Sequence, residues 1–398
     1  MQYSRKIERE INENGVEFDM GSVFARLSKL TDVRKAKGKR YGLTTILMII
    51  LMAKLCGENK PMEIADWAKN RQEELVKLLC LERQTMPNHN TYRRILAHVV
   101  YEEEIERLVG EYNQQGEHGE VYALDGKAIR GMRKKDEFVS EYALSVCDVK
   151  QGKVMSQVQV GRKENEISKA PDALKLVNIS QKVVTGDALH TPKRLSTQIL
   201  EARGDFVFPV KENQGKLYKN IQELFAPEYP RPGFGKIQTD FLTAQKVNKG
   251  HGRLEVRTIQ TSEMLNSYSG WPGLAQVYRL KREIQWWRNG NCYRTSCEVE
   301  FGITSLIRQK ASPSRLLEIR RAHWGIEAGL HYRRDVTLKE DATRMTVGNT
   351  GIIMASINNL VLALIRQAKF YNAAQAPRWF AAKLSRSFTL LTTPSLLL

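Results

Sequence analysis

Lys182-Val183-Val184-Thr185-Gly186-Asp187-Ala188-Leu189 is the stretch whose reading decides the fold. A short β-branched run without alternation fits a strand buried on both faces, in the middle of a sheet. The strand ends in an aspartate. Thr191-Pro192 then opens a helix to about Ala202, because proline is tolerated at the first helical position. Working backwards, Val121-Tyr122-Ala123-Leu124-Asp125-Gly126 alternates as a strand and closes on an acid followed by glycine. Phe138–Val149 and Lys153–Val160 are two further strands, with Asp148 to Gly152 as the hairpin turn between them. Helical residues run from about Glu164 to Lys175. Working forwards, Phe206–Lys211 is a strand and Gly215–Phe225 a helix. The order is three strands with a hairpin, then helix, strand, helix, strand, helix. That is a mixed sheet with flanking helices, the order of the ribonuclease-H-like α/β fold. In open α/β sheets function collects at the carboxyl ends of strands, where Asp125 and Asp187 stand.

At 398 residues the chain is long for one domain, and two or three are expected. Lysine and arginine number 62 against 44 acids, a net charge of +18, which favours a polyanionic partner, with nucleic acid the usual one. A basic membrane-surface protein would want an amphipathic basic helix or a lipid anchor, and neither is present. The five cysteines are odd in number, scattered and without CxxC spacing, which fits reduced thiols in a reducing compartment. The polar N-terminus carries no signal peptide, and the run from Leu43 to Ala53 is too short to span a bilayer. A cytoplasmic protein is expected, with no membrane partner.

Residues 1–115 read as a helical N-terminal domain for DNA binding. It holds a buried helix from Leu43 to Leu55 and amphipathic pieces at Met62–Ala68, Glu73–Leu81 and Thr91–Val100. Asn90 or His89 is the expected cap of the last piece, with Arg93 and Arg94 on its first turns. A solvated bundle face accounts for those arginines equally well. Residues 116–225 form the first part of the catalytic core. Residues 226–306 read as a β-rich insertion, with strands at Leu254–Thr261, Leu274–Glu283 and Ser296–Thr304. Residues 307–370 return to the core, and 371–398 are a C-terminal tail.

The returning segment contains one long predicted helix. Ser312-Pro313 supplies its cap and first turn. Leu316, Ile319, His323, Ile326 and Leu330 recur at three- and four-residue steps. Arg320, Glu327 and Arg334 lie seven apart on a neighbouring stripe, and His323, Glu327 and His331 lie four apart. One carboxylate thus sits among imidazoles and guanidinium groups. A solvated face with ordinary i,i+4 pairs is the competing account.

Asp125, Asp187 and Glu327 form an oxygen-only ligand set that suits Mg²⁺ or Mn²⁺, and two such ions serve in-line phosphoryl displacement. No Walker A loop or dinucleotide fingerprint is present, and no nucleophilic serine or cysteine adjoins the acids. Asp125 and Asp187 could each be ordinary turn or cap acids. Asp148 reads as a hairpin residue, and Glu340-Asp341 as a solvated or substrate-facing pair. Lys127, Arg130 and Arg133 to Lys135 lie just past Asp125, either beside a scissile phosphate or in a solvated loop. Lys211, Asn213 and Gln214 follow a strand near the same sheet edge and could meet a DNA backbone. Trp286 and Trp287 fit base stacking or hairpin packing.

Six segments carry a resemblance. They are Ala123-Leu124-Asp125-Gly126-Lys127, Lys163-Glu164-Asn165-Glu166-Ile167, Val184-Thr185-Gly186-Asp187-Ala188, Lys211-Glu212-Asn213-Gln214, His251-Gly252-Arg253-Leu254-Glu255 and His323-Trp324-Gly325-Ile326-Glu327. In this order they resemble the motif series of the H-repeat-associated (ISAs) DDE transposases of bacterial insertion sequences. Asp32-Val33-Arg34 and Leu55-Cys56-Gly57 are similar to that family's N-terminal associated domain. The resemblance covers about residues 30 to 366. It implies a ribonuclease-H-like core interrupted by a β-rich insertion, with Asp125, Asp187 and Glu327 as catalytic and metal-holding acids and two Mg²⁺ or Mn²⁺ ions. It further implies DNA partners, namely transposon ends and target, and a homodimer or higher assembly on DNA. The implied place of action is the cytoplasm, on the nucleoid when DNA-bound. His323, Arg334, Arg320 and His331 would support Glu327 or contact phosphate, and Lys127, Arg130, Lys211, Asn213, Arg253, Arg93 and Arg94 would contact DNA. Three positions depart from the family pattern: Ala328 replaces an asparagine, Tyr332 a tryptophan and Arg334 an apolar residue. The expected activity is DNA cleavage and 3′-end transfer. The alternatives are a transposase-derived DNA-binding protein without strand transfer, and a metal-dependent nuclease.

Overall fold

The computed structural model of the 398-residue chain describes residues 8–133, 141–161, 165–226 and 239–394. The chain opens with a small hairpin, β1 (Arg9–Ile11) and β2 (Glu17–Asp19), followed by helices α1 (Val23–Leu27), α2 (Leu43–Leu55), α3 (Pro61–Asn70), α4 (Gln72–Leu78), α5 (His89–His98) and α6 (Glu102–Asn113). Strands β3 (Val121–Ile129), β4 (Glu141–Asp148) and β5 (Lys153–Val160) follow. Then come α7 (Glu166–Lys175), β6 (Val183–Thr185), α8 (Lys193–Glu201), β7 (Asp205–Val210) and α9 (Gly215–Leu224). Four long strands come next: β8 (Leu242–Gly250), β9 (Arg253–Ser262), β10 (Gln276–Arg288) and β11 (Asn291–Thr304). The chain closes with α10 (Pro313–His323), α11 (Thr350–Gln367), α12 (Ala376–Ala382) and α13 (Ser385–Thr392). The expected strand start at Phe138, the charges at Lys134 and Lys135, Lys163-Glu164 and the last four residues of the tail lie outside the described residues.

Contacts divide the chain into two compact units. The first comprises Met1–His118, Gly126–Asn165 and Glu327–Leu398. Its core is built on α11, whose apolar run is long enough to cross a membrane by length and composition, yet is 89% buried inside the protein. Such burial marks a core helix. Helix α2 is buried along almost its whole length, as its unbroken apolar run requires. Asn88, rather than Asn90 or His89, caps α5, its side chain accepting from the Asn90 N–H at 3.0 Å. Asn88 precedes the first helical residue, which is where a cap must stand. Three glutamates, Glu102 to Glu104, open α6 and complement its dipole. In this unit β5, β4 and the second half of β3 are neighbours in that order.

The second unit comprises Gly119–Asp125 and Glu166–Ile326. Its strands run β3, β6, β7, β11, β10, β9, β8. The first three are parallel and the rest antiparallel. The strands expected in the insertion extend this sheet, because β11 pairs antiparallel with β7 from Phe301↔Val210 to Thr304↔Val207. Strand β8 has no counterpart in the sequence reading; Leu-Thr-Ala-Gln-Lys-Val-Asn-Lys-Gly is largely exposed and lacks the apolar alternation of a half-buried strand. Phe206 and Phe208 of β7, both fully buried, stack with centroids 5.4 Å apart at the centre of the unit. Burial of each ring contributes roughly 1.5–3 kcal/mol.

Candidate active site

Strands β3 and β6 pair in parallel with Val121↔Val183, Tyr122↔Val184 and Ala123↔Thr185. The pairing ends there, two residues before Asp125 on one chain segment and two before Asp187 on the other. Side chains alternate along a strand, so Ala123 and Asp125, both within β3, share a face. Neighbouring strands lie about 4.8 Å apart, within reach of one shared cation. Both aspartates are half-buried. Asp187 stands two residues past β6, and its Oδ1 accepts the Leu189 N–H at 2.9 Å, opening a short helical turn. Asp125 does not end its strand: β3 continues to Ile129, because Lys127 and Ile129 alternate inward where Asp-Gly alone suggested a turn.

Helix α10 brings its C-terminal end to the end of β6. Ser312 caps it, accepting the Arg315 N–H at 3.4 Å, and Leu316, Leu317 and Ile319 bury its inner face. Arg320 is buried and donates to both oxygens of Glu300, at 2.8 and 2.9 Å, and to the Gly186 carbonyl at 3.3 Å. His323 Nδ1 lies 3.1 Å from Thr185 Oγ1. The turn that presents Asp187 is therefore held from one side by Arg320. From the other side, Asn213 donates to the Ala188 carbonyl at 2.7 Å.

Trp324 caps α10, with the guanidinium of Arg257 5.5 Å and that of Arg282 4.6 Å from its ring centre. Both arginines are tied to the buried carboxylate of Glu255, at 2.7 and 2.6 Å. The pairing lowers the Glu255 pKa: burial alone would raise it, and Arg282 and Arg257 outweigh that. The sequence places Glu255 in a motif without giving it a role, and Arg257 and Arg282 are not singled out there. The alternation Arg253, Glu255, Arg257 along one strand face was the available signal. A groove of about 690 Å³ runs past Asp187, lined also by Lys211, Asn213, Tyr218, Arg282 and Trp324. Lys211 is exposed in it, and Arg253 is exposed 3.9 Å from Glu255.

The first unit holds the segment after Ile326. Here the expected long α-helix fails. Ile326–His331 and Arg333–Thr337 are π-helical, with wider turns than an α-helix. Arg320, Glu327 and Arg334 therefore do not form one stripe at the α period. Gly325 and Gly329 lower the conformational cost of leaving the α geometry. Ile326 and Leu330 are buried and Glu327 is exposed. Arg334 is fully buried and donates to both oxygens of Glu340 at 2.9 and 2.7 Å, while Asn358 donates to Glu340 at 2.7 Å. Burial would raise the Glu340 pKa, but Arg334 and Asn358 reverse the sign and hold it below the usual carboxylate range. His331 is pushed down to about 4 by burial, then by the positive charge of Arg334 and Lys127. Glu340, read from the sequence as a solvated or substrate-facing acid, is thus a buried partner of Arg334.

Asp335, Glu340 and Asp341 bring carboxylate oxygens within 4.8 Å of one another. This second acidic cluster is already neutralised. Lys127 lies 2.7 Å from Asp335 and 3.6 Å from Asp341, Arg130 lies 3.7 Å from Asp341, and Arg334 holds Glu340. Lys127, Arg320 and Arg334, which sequence reasoning offered to phosphate, are all buried in ion pairs. Arg130 is exposed, and Arg93 and Arg94 are exposed on α5.

The large mixed sheet with helices beside it defines a mixed α/β protein. Residues 116–361 match the profile of the transposase DDE domain, and residues 24–112 match that of the DDE_Tnp_1-associated region. The chain belongs to the transposase DDE domain family, in its H-repeat-associated group. It is 28% identical over 361 residues to "Putative transposase YncI" of Escherichia coli O157:H7, covering 87% of this chain and 88% of that one. It is 23% identical to "H repeat-associated putative transposase YhhI" of Escherichia coli strain K12, covering 93% and 97%. Among solved structures, the piggyBac transposase synaptic complex with hairpin DNA aligns at a TM-score of 0.44 with 13% identity, covering 93% of this chain and 77% of that one.

Proposed function

We propose that this chain is a ribonuclease-H-like DDE transposase that binds the ends of its element, hydrolyses a phosphodiester bond there and joins the freed 3′ hydroxyl to target DNA. The observation that carries the reading is that Asp125 and Asp187 each follow by two residues the last pair, Ala123↔Thr185, of neighbouring parallel strands. Two half-buried carboxylates just past that pairing offer hard oxygen donors, which is the donor chemistry that Mg²⁺ and Mn²⁺ take. Asp125, Asp187 and Glu327 would hold the ions. When bound, two such ions activate a hydroxyl nucleophile and stabilise the leaving oxygen.

The protein's own groups do the positioning. The clamp from Arg320 to Glu300 and to the Gly186 carbonyl fixes the turn that carries Asp187. Asn213 ties the same turn to the end of β7. Lys211 and Arg253 on the second unit, and Arg93, Arg94 and Arg130 on the first, supply exposed positive charge for the DNA backbone. Joining two ends to one target calls for at least two copies of the chain on DNA, in the bacterial cytoplasm.

The test is a strand-transfer assay in Mg²⁺, using labelled duplexes that carry the DNA flanking the coding sequence. Joined product that disappears in Asp125→Asn, Asp187→Asn and Glu327→Gln supports the reading. Nicked product without joining would make the protein a nuclease. Binding without any cleavage would make it a DNA-binding descendant of a transposase.

A further inference from the structure

The first unit contains a second groove, of about 780 Å³, between α5 and the loop at residues 343–350. Lys60, His89, Arg93, Arg94, His98 and Arg344 line it, and among the described residues no aspartate or glutamate does. The chain has 44 acids, so a wall of this size without one is a marked charge segregation. None of the ion pairs among the described residues involves Arg93, Arg94 or Arg344, in contrast to the buried arginines Arg320 and Arg334. Unpaired guanidinium groups crowded on one groove repel one another, and an anion relieves that repulsion.

The loop that presents Arg344 is held in place. Met345 N–H donates to the Gly131 carbonyl at 2.8 Å, and Asn349 N–H to the Ala97 carbonyl of α5 at 3.3 Å. Gly348 has φ of +51°, and a Cβ there would lie 2.3 Å from the Ala97 carbonyl oxygen. The loop thus docks on α5 through a contact only glycine permits. Arg344 comes from the stretch that matches the DDE domain, and Arg93 and Arg94 from the associated region. The exposed side chains of Met62 and Val347 flank the groove with apolar surface that suits deoxyribose.

We infer that this groove is a bipartite clamp for the sugar–phosphate backbone of duplex DNA, with Arg344 closing against Arg93 and Arg94. It rests on the proposed transposase function and assigns the associated region a role in gripping the DNA. A small phosphate would satisfy one guanidinium; three arginines along an open groove match a polyanion, while Lys60 is already paired with Glu63 at 3.1 Å. Arg344 is not among the residues that the sequence singled out.

Fluorescence anisotropy of full-length protein on a labelled flanking duplex, across a salt series, tests the clamp. Arg344→Ala, Arg93→Ala and Arg94→Ala should each weaken binding roughly fivefold and flatten the log–log salt slope by about 0.9. Arg344→Lys should restore most of the affinity. Arg378→Ala, an exposed charge on α12 outside the groove, lowers net charge equally and should leave the slope unchanged. Loss on a scrambled duplex as well supports a backbone contact. A wild-type slope in all three alanine variants overturns the clamp, as does competition by polyglutamate as effective as by duplex. Strand transfer is read on the same samples. Normal transfer with unchanged slopes removes the clamp and leaves the function; reduced binding in the variants with no transfer by the wild type removes the function and leaves the clamp.

Discussion

Replacing Arg334 with methionine keeps the volume and removes the charge from a pair whose members are 0% and 6% exposed. Glu340 then stays buried with the Asn358 amide and the Lys127 and Lys54 ammonium groups as its remaining support. Stripping one member from a buried ion pair costs about 3–5 kcal/mol, because the other charge stays desolvated. Arg334→Met should lose that much in urea unfolding at pH 7 monitored by tryptophan fluorescence. Arg334→Met combined with Glu340→Leu should recover at least half, since neither charge then remains to be desolvated. DNA affinity per folded molecule should stay within about twofold of wild type, because a guanidinium engaged by Glu340 inside the protein gives little to phosphate. A loss under about 1 kcal/mol, the range of an exposed pair, would refute the buried-pair reasoning. A selective loss of DNA affinity with stability intact would return Arg334 to the phosphate.

His331 gives a pH signature. Its folded pKa of about 4 lies below the ordinary 6.5, so the unfolded chain takes up the proton first, and stability present above pH 6.5 is lost as pH falls towards 4. The full loss is about 3 kcal/mol, and His331→Gln should flatten urea midpoints between pH 7 and 4.5. Glu340, held below the carboxylate range, adds stability that persists above its unfolded pKa and is lost only at more acid pH as it protonates. Gly348→Ala should destabilise the first unit by roughly 1–3 kcal/mol through its positive φ and the Ala97 carbonyl, seen as a lower melting temperature. Arg320→Met should lower kcat for cleavage by at least about tenfold with little change in DNA affinity, because the clamp orients Asp187 rather than touching substrate. Equal losses in kcat and affinity would contradict that role.

The sheet was legible because β6 and β7 are continuous apolar runs and β5 carries the edges its turn residues predict. The helices around it were legible from proline and cap residues. Four things were hidden, each for a physical reason. The pairing of β11 with β7 joins residues about ninety positions apart, which no local pattern encodes. Strand β8 is exposed on both faces and so lacks the alternation that marks a half-buried strand. The helix through Glu327 was read at the α period, and two glycines let it widen into π turns. Arg334, Glu340 and Lys127 look like surface charges in a sequence, since composition cannot tell a solvated charge from one neutralised inside the fold. Asp187 stands just past the end of β6, as its sequence suggests, whereas β3 runs on past Asp125 to Ile129, because Asp-Gly looks like a turn until the inward alternation of Lys127 and Ile129 is counted.

Cleavage of a labelled end duplex by Asp187→Cys protein, in Mg²⁺ and then in Mn²⁺, tests the central claim most directly. A carboxylate that holds the cation cannot be exchanged for sulfur in Mg²⁺, which takes oxygen ligands, whereas Mn²⁺ is the more tolerant ion. The account predicts no cleavage in Mg²⁺ and partial recovery in Mn²⁺, with DNA binding unchanged in both. Wild-type cleavage by Asp187→Cys in Mg²⁺ would contradict it.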